Sequence, residues 1–224
     1  MKKYTGISQE GLKVLACVTM LIDHIGAVFF PQFQWLRIIG RLSFPIYCFL
    51  LAEGVHHTRN PLKYGLRLLL VAILAELPYD LLFYGQFTWS HNSVMVTLLL
   101  GFCAGIGIKK VPGWWKLFVP LPFILSGRYL GGSYGMYGVA MIVMFQLLRD
   151  IPYAKAAQLL LMVLLSLRMA GFPGRIGVQI YAIAAMIPIL LYTGKKHSCS
   201  KVLQWCFTLF YPLHILILLL IRGI

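Results

Sequence analysis

Nine apolar segments follow one another along the chain, most of them roughly 15 to 23 residues long, with polar gaps too short to fold by themselves. They cover 11–30, 35–54, 62–83, 93–108, 114–126, 134–148, 152–170, 176–192 and 202–221. At 1.5 Å rise per residue, such lengths suit helices that cross a hydrocarbon layer of about 30 Å. With 60% hydrophobic and 12% charged residues and a mean hydropathy of +0.81, the chain is outside the range of soluble domains. The expected fold is all-α: a polytopic integral membrane helical bundle of about nine transmembrane helices (eight to ten), forming a single integral membrane domain over residues 1–224. The fifth segment is short enough to be tilted, broken or re-entrant. No internal repeat or low-complexity stretch is visible.

The net charge of +14 would suggest nucleic acid in a soluble protein, but the 20 bases are scattered in ones, twos and threes at segment ends, so no nucleic-acid partner is expected. Fourteen of them fall in one set of alternate loops and five in the other, with Arg41 inside the second span. The positive-inside rule then puts the N-terminus in the cytoplasm of a multi-pass cell-membrane protein. Lys2, Lys3 and Lys13 precede the first apolar run, and residues 14–17 faintly resemble a lipoprotein cleavage site. Too little apolar chain precedes Cys17 for a leader, so the first span is expected to be retained. Cys17, Cys48, Cys103, Cys199 and Cys206 are read as small packing residues, and no His or Cys spacing suits a metal, so none is expected.

The acids say more. The chain has six, and four of them, Asp23, Glu53, Glu76 and Asp80, lie in apolar segments. A charge at the centre of a membrane helix costs at least about 2.5 to 3.5 kcal/mol, so such residues normally face a partner or a cavity. Counting from segment ends, His24 and Arg41 are each about 9 Å below the outer face, and Glu76, Asp80 and His214 about 5 to 12 Å below it. Residues distant in sequence thus fall in one layer.

Helical spacing orients them. Asp23 and His24 diverge by about 100°, so the partner of His24 is expected from another helix, with Asp80, Glu76 or His214 as candidates, or from a substrate. Glu76 and Asp80 share a face, as do Arg37 and Arg41, which suggests carboxylate-to-guanidinium pairing between the third and second spans. Tyr211 and His214 also face the same way. Glu53 could snorkel or pair with Arg59 or Lys63. Pro45, Pro78 and Pro212 each remove a helical hydrogen bond near this layer, which favours a cavity.

A histidine in such a site can act as a general base, since its ordinary pKa near 6.5 leaves it largely neutral at physiological pH. His56, His57, Arg59, Lys63 and Arg67 cluster around the loop after the second span, enough positive charge to hold phosphates. No Gly-rich phosphate loop is present, which disfavours a nucleoside triphosphate.

Four phrases together, LKVLACVTMLIDHIG, GRLSFPIYCFLLAEGVHHTRNPLKYGLRLLLVAILAELPYDLL, YGMYGVAMI and FYPLHILIL, resemble the TraX family across almost the whole chain. The family is named for a conjugative-plasmid protein that acetylates the N-terminus of F-type pilin. It is similar in broad layout to membrane acyltransferases of the acyltransferase-3 kind, which place a histidine in the first span and use cytoplasmic acyl-CoA. The resemblance puts Asp23 and His24 in the first-span motif, Arg41 and Glu53 in the second, Arg59 and Arg67 in the basic region, Asp80 in a Pro-x-Asp motif and His214 in the terminal one. The chain departs from the pattern at Ser133, where an Asp is expected, and matches an Asn-x-x-x-Thr-Leu segment only loosely through Asn92 and Thr97.

Read together, these features imply an acyltransferase that takes an acyl group, an acetyl by resemblance, from acetyl-CoA or another acyl-CoA as co-substrate. The acceptor would be an amine or hydroxyl on a peptide, glycan or small molecule, with membrane lipid as surroundings. His24, Asp23 and Asp80 are the catalytic candidates, Arg41, Glu53, Glu76, Tyr211 and His214 the substrate-binding ones, and His57, Arg59, Lys63 and Arg67 the acyl-CoA-binding ones. A proton-coupled transporter and a non-enzymatic membrane assembly factor are the alternatives. Transporters often carry internal repeats, and none is found here.

Overall fold

The structure, a computed structural model, describes residues 6–88, 92–130, 134–149, 153–171, 177–194 and 201–223. Ser133, Cys199 and the Gly-Pro turn at 172–174 lie outside the described residues. The rest is helical, and among the described residues the only β pairing is an isolated parallel bridge between Ile7 and Tyr192. The helices are α1 (Gln9–Val28), α2 (Gln34–Gly40), α3 (Ser43–His57), α4 (Pro61–Tyr84), α5 (Val94–Lys110), α6 (Leu121–Leu130), α7 (Gly135–Leu147), α8 (Ala154–Ala170), α9 (Met186–Leu190) and α10 (Lys201–Arg222). Two 3₁₀ segments, Gly113–Leu117 and Val178–Ala185, precede α6 and α9.

The helix ends follow local chemistry. Ser8 caps α1 by accepting the Gly11 N–H at 3.1 Å, with Glu10 favourably placed in the first turn. Asn60 caps α4 through the Lys63 N–H at 3.0 Å and is followed by Pro61, while Gly85 ends that helix at φ +71°, a conformation that suits glycine. The second apolar segment, expected as one span over 35–54, breaks between α2 and α3. Pro45 has no N–H to give the Arg41 carbonyl, and the Ser43 hydroxyl bonds the Gly40 carbonyl at 2.8 Å. The short fifth segment is likewise broken, into a 3₁₀ turn and α6.

Among the described residues, three helical stretches are long and apolar enough to cross a membrane: Gln9–Val28, Gln34–His57 and Val202–Arg222. The third segment forms a helix of 24 residues, α4, but carries Lys63, Arg67, Glu76 and Asp80.

The fold divides into two compact units. One comprises Met1–Leu50 with Met162–Phe210, the other Leu51–Leu161 with Tyr211–Ile224. In the first, α1 packs on α2 where Gly26 faces Leu36 and Asp23 faces Gly40; Leu12, Ala16 and Met20 are buried earlier on α1, and the Ile7 N–H donates to the Leu191 carbonyl at 2.9 Å. In the second, α5 packs between α4 and α7 over a core of Ala104, Ile108, Val139 and Val143. Close approach there depends on Gly101, where an added Cβ would lie 2.2 Å from Ile142 Cδ1. Gly101→Val is expected to destabilise this unit by about 1–3 kcal/mol through overpacking, read as a lower melting temperature in detergent.

Candidate functional site

The residues of the expected polar layer divide between the two units: Asp23, His24 and Arg41 in the first, Glu76, Asp80, Tyr211 and His214 in the second.

In the first unit, Asp23 is the centre of a closed ionic cluster. Arg37 Nη1 donates to its Oδ2 at 2.7 Å and to its backbone carbonyl at 3.0 Å. Arg41 Nη2 donates to Oδ1 and Oδ2 at 2.7 and 2.8 Å. Arg41 continues the network through Nε to the Arg37 carbonyl, at 3.2 Å, and Nη1 to Gln179 Oε1, at 3.3 Å. The Asp23 and Arg41 side chains are only 10% and 11% exposed, where several charge-assisted hydrogen bonds fix the carboxylate in place. Gly40 makes room for it, since a Cβ there would lie 2.1 Å from Asp23 Oδ1. The guanidiniums expected to meet Glu76 or Asp80 are thus held by Asp23, because α2 follows α1 after a five-residue turn at 29–33 and returns along it. His24 is half-buried and points about 100° away from Asp23 around α1.

In the second unit, Glu76 and Asp80 lie one turn apart on α4 and bind backbone rather than bases. Glu76 Oε1 accepts the Ser93 N–H at 3.0 Å, just ahead of α5, and Asp80 Oδ2 accepts the Thr88 N–H at 2.8 Å. The Tyr211 phenol is buried beside the Ser93 hydroxyl and the Val94 backbone, close enough to Glu76 and Tyr79 to feel their charge. The His214 ring lies 5.6 Å from that of Tyr211, as their spacing suggests. Glu76, Asp80, Tyr211 and His214 therefore belong to one unit and three of them to one network.

The basic end of this unit is a separate group. Glu53 pairs with neither Arg59 nor Lys63; Arg149 Nε donates to its Oε1 at 2.7 Å and His57 Nε2 stands 3.5 Å from its Oε2. Arg149, beyond the end of α7, provides a planar fork that fits a buried carboxylate better than the exposed Lys63. Lys109 Nζ donates to the carbonyls of Val55, His56 and Thr58 at 3.1, 2.8 and 3.3 Å, which closes the C-terminus of α3. Arg59 and Lys63 are exposed and make no ion pair with another described residue, while the Arg67 guanidinium lies 5.1 Å above the Tyr64 ring.

Gln179, Arg149, Thr88 and Ser93 were not singled out as site residues. Gln179 carried a usable signal, an amide inside an apolar segment. Arg149 read only as a topology charge, and Thr88 gave no signal.

Breaking the Asp23 cluster should cost more than losing one hydrogen bond. Asp23→Asn leaves two guanidiniums with their shared counter-charge removed, and a loss of about 3–5 kcal/mol is expected, measured by thermal unfolding in detergent micelles. Gly40→Ala, which changes no charge, should lower the melting temperature in the same sense. An unaltered melting curve for both variants would show the cluster to be dispensable.

Comparison with known proteins agrees on one family. The family described as TraX protein matches residues 8–222. A probable fimbrial assembly protein, FimC of serogroup H1 from Dichelobacter nodosus, is 30% identical over 243 aligned positions that cover 97% of each chain. Protein TraX of Escherichia coli is 27% identical over 221 positions, covering 92% of this chain and 84% of its own. A Rickettsia prowazekii protein, RP591, is 30% identical over 42% of this chain and 35% of its own. No solved structure matches. Matched from the cap of α1 to the end of α10, and built with long apolar helices that make it a membrane protein, the chain belongs to the TraX family.

Proposed function

We propose that the protein is a multi-pass membrane acyltransferase with a cytoplasmic N-terminus, using cytoplasmic acyl-CoA, by resemblance acetyl-CoA, and an amine or hydroxyl acceptor. One observation carries the assignment of the base. Both oxygens of the Asp23 carboxylate are engaged by Arg37 and Arg41, which gives it a structural part in the motif. The proton acceptor on α1 is then His24, half-buried in a helix long and apolar enough to cross the membrane. Asp23 acts through the backbone, fixing α1 against α2 and so the position of His24.

The reaction balances with these groups. Neutral His24 takes the proton from the acceptor N–H or O–H as that nitrogen or oxygen bonds to the acyl carbon. The C–S bond of the thioester breaks, and the departing thiolate receives the proton from His24, which leaves free CoA and regenerated imidazole. Arg59, Lys63 and Arg67, at the start of α4, supply positive charge for the phosphates of CoA, with Arg59 and Lys63 free of carboxylate partners among the described residues. His57 is drawn instead towards Glu53 and Arg149.

The Dichelobacter relative's name, a probable fimbrial assembly protein, favours an acceptor of pilin type, a peptide N-terminus. It also fits a non-enzymatic assembly factor, and transfer chemistry separates the two. His24→Ala and His24→Gln should each lower single-turnover transfer from labelled acetyl-CoA by about 10² to 10⁴, with melting temperature and CoA binding retained. Wild-type transfer by folded His24→Ala protein would return the histidine to a helix contact.

The orientation is tested separately. In a cysteine-free background, Asn60→Cys should react with an impermeant thiol reagent from the cytoplasm and Gln86→Cys from outside, the two residues flanking α4. Labelling of both from one side would remove α4 from the set of spans.

A further inference from the structure

Asp80 has no exposed surface, yet among the described residues its carboxylate is half satisfied. Oδ2 accepts the Thr88 N–H, but Oδ1 has no hydrogen-bond partner, and neither does the buried Oγ1 of Thr88. The two oxygens belong to one locality, because the Thr88 amide nitrogen that grips the carboxylate is three bonds from the hydroxyl oxygen. Among the described residues Asp80 makes no ion pair, and three bases of its unit are held by other groups. Arg222 reaches the same end of α4 but donates to the Leu82 carbonyl, Arg149 is held by Glu53, and Lys109 by the carbonyls of α3. Glu76, one turn earlier on the same helix, adds a second carboxylate with a backbone donor and no ion pair among the described residues.

A wholly buried ionised carboxylate with a single neutral donor is unfavourable. What such a site lacks is a positive charge. Its unfilled donors are hard oxygens, one carboxylate oxygen and one neutral hydroxyl, which suit a cation of the alkali class. A single nearby formal charge, shared at a distance with Glu76, suits one positive charge rather than two. Full occlusion of Asp80 suits an ion rather than the end of a larger molecule.

We propose that Asp80 Oδ1 and Thr88 Oγ1 are two ligands of a site for a small monovalent inorganic cation, of the sodium class, which ties the end of α4 to the chain that leads to α5. The site is independent of the acyl-transfer reading and adds a metal that the sequence did not lead us to expect.

The test is thermal unfolding of the full-length protein in detergent, titrated with NaCl, KCl, choline chloride or methylammonium chloride at constant total salt. Sodium should raise the melting temperature saturably over choline, by about 5–10 °C at a hundredfold excess over Kd. Asp80→Asn and Thr88→Val should abolish the sodium-dependent rise, with helical circular dichroism retained. If one variant does not fold, the other and the wild-type titration still decide. Equal melting temperatures in sodium, potassium and choline would overturn the proposal, as would a sodium response that survives in both variants. A response to methylammonium alone would also overturn it and give the carboxylate to an organic amine.

Discussion

One carboxylate held by two guanidiniums organises the first unit. Asp23 accepts three side-chain hydrogen bonds in an environment where charge is otherwise unfavourable, and each of its donors is itself fixed, Arg37 on the backbone of α1 and Arg41 on Arg37 and Gln179. The cluster needs α2 to run back along α1, a glycine at position 40 so that the backbone can approach, and the break after Arg41 that lets α3 start afresh. Remove the carboxylate and two positive charges lose the counter-charge they share on α1. The pair is weak as a source of net stability but strong as a constraint, since only one arrangement satisfies all its members.

That constraint bears on the proposed chemistry. Asp23 and His24 are adjacent in sequence, and a carboxylate beside a histidine invites a reading as acid and base. Helical geometry separates them, and the arginines occupy the acid. The imidazole is then the residue of the motif that serves as the proposed base. The likeness to TraX proteins and to a fimbrial assembly protein gives the proposed chemistry a setting without assigning the acceptor.

Much of the fold was legible because it depends on local rules. Apolar runs mark the helices, and Pro45, expected to remove a helical hydrogen bond, lies where the second segment is interrupted. The site was legible as a set of residues but less so as a set of pairs. Rarity of charge in apolar sequence flags Asp23, Glu53, Glu76 and Asp80 correctly as residues that must be accounted for. It does not say which base reaches which acid. Arg149 is ninety-six positions from the Glu53 it holds, and the guanidiniums of α2 turn to α1 because a short turn makes α1 the neighbour. Thr88 is invisible beforehand, since a threonine in a loop has no cost to betray it until a buried carboxylate takes its amide.

The acids in apolar segments then sort by how completely they are satisfied. Asp23 and Glu53 have arginine partners, and each joins elements that are distant along the chain or meet across a turn. Among the described residues, Glu76 and Asp80 hold backbone amides, at Ser93 and Thr88, and no base. A carboxylate kept for structure alone is best served by the first arrangement, because a paired charge costs least to bury. The second arrangement leaves Asp80 Oδ1 with spare acceptor capacity at the end of α4, and it is that capacity which the proposed cation would use.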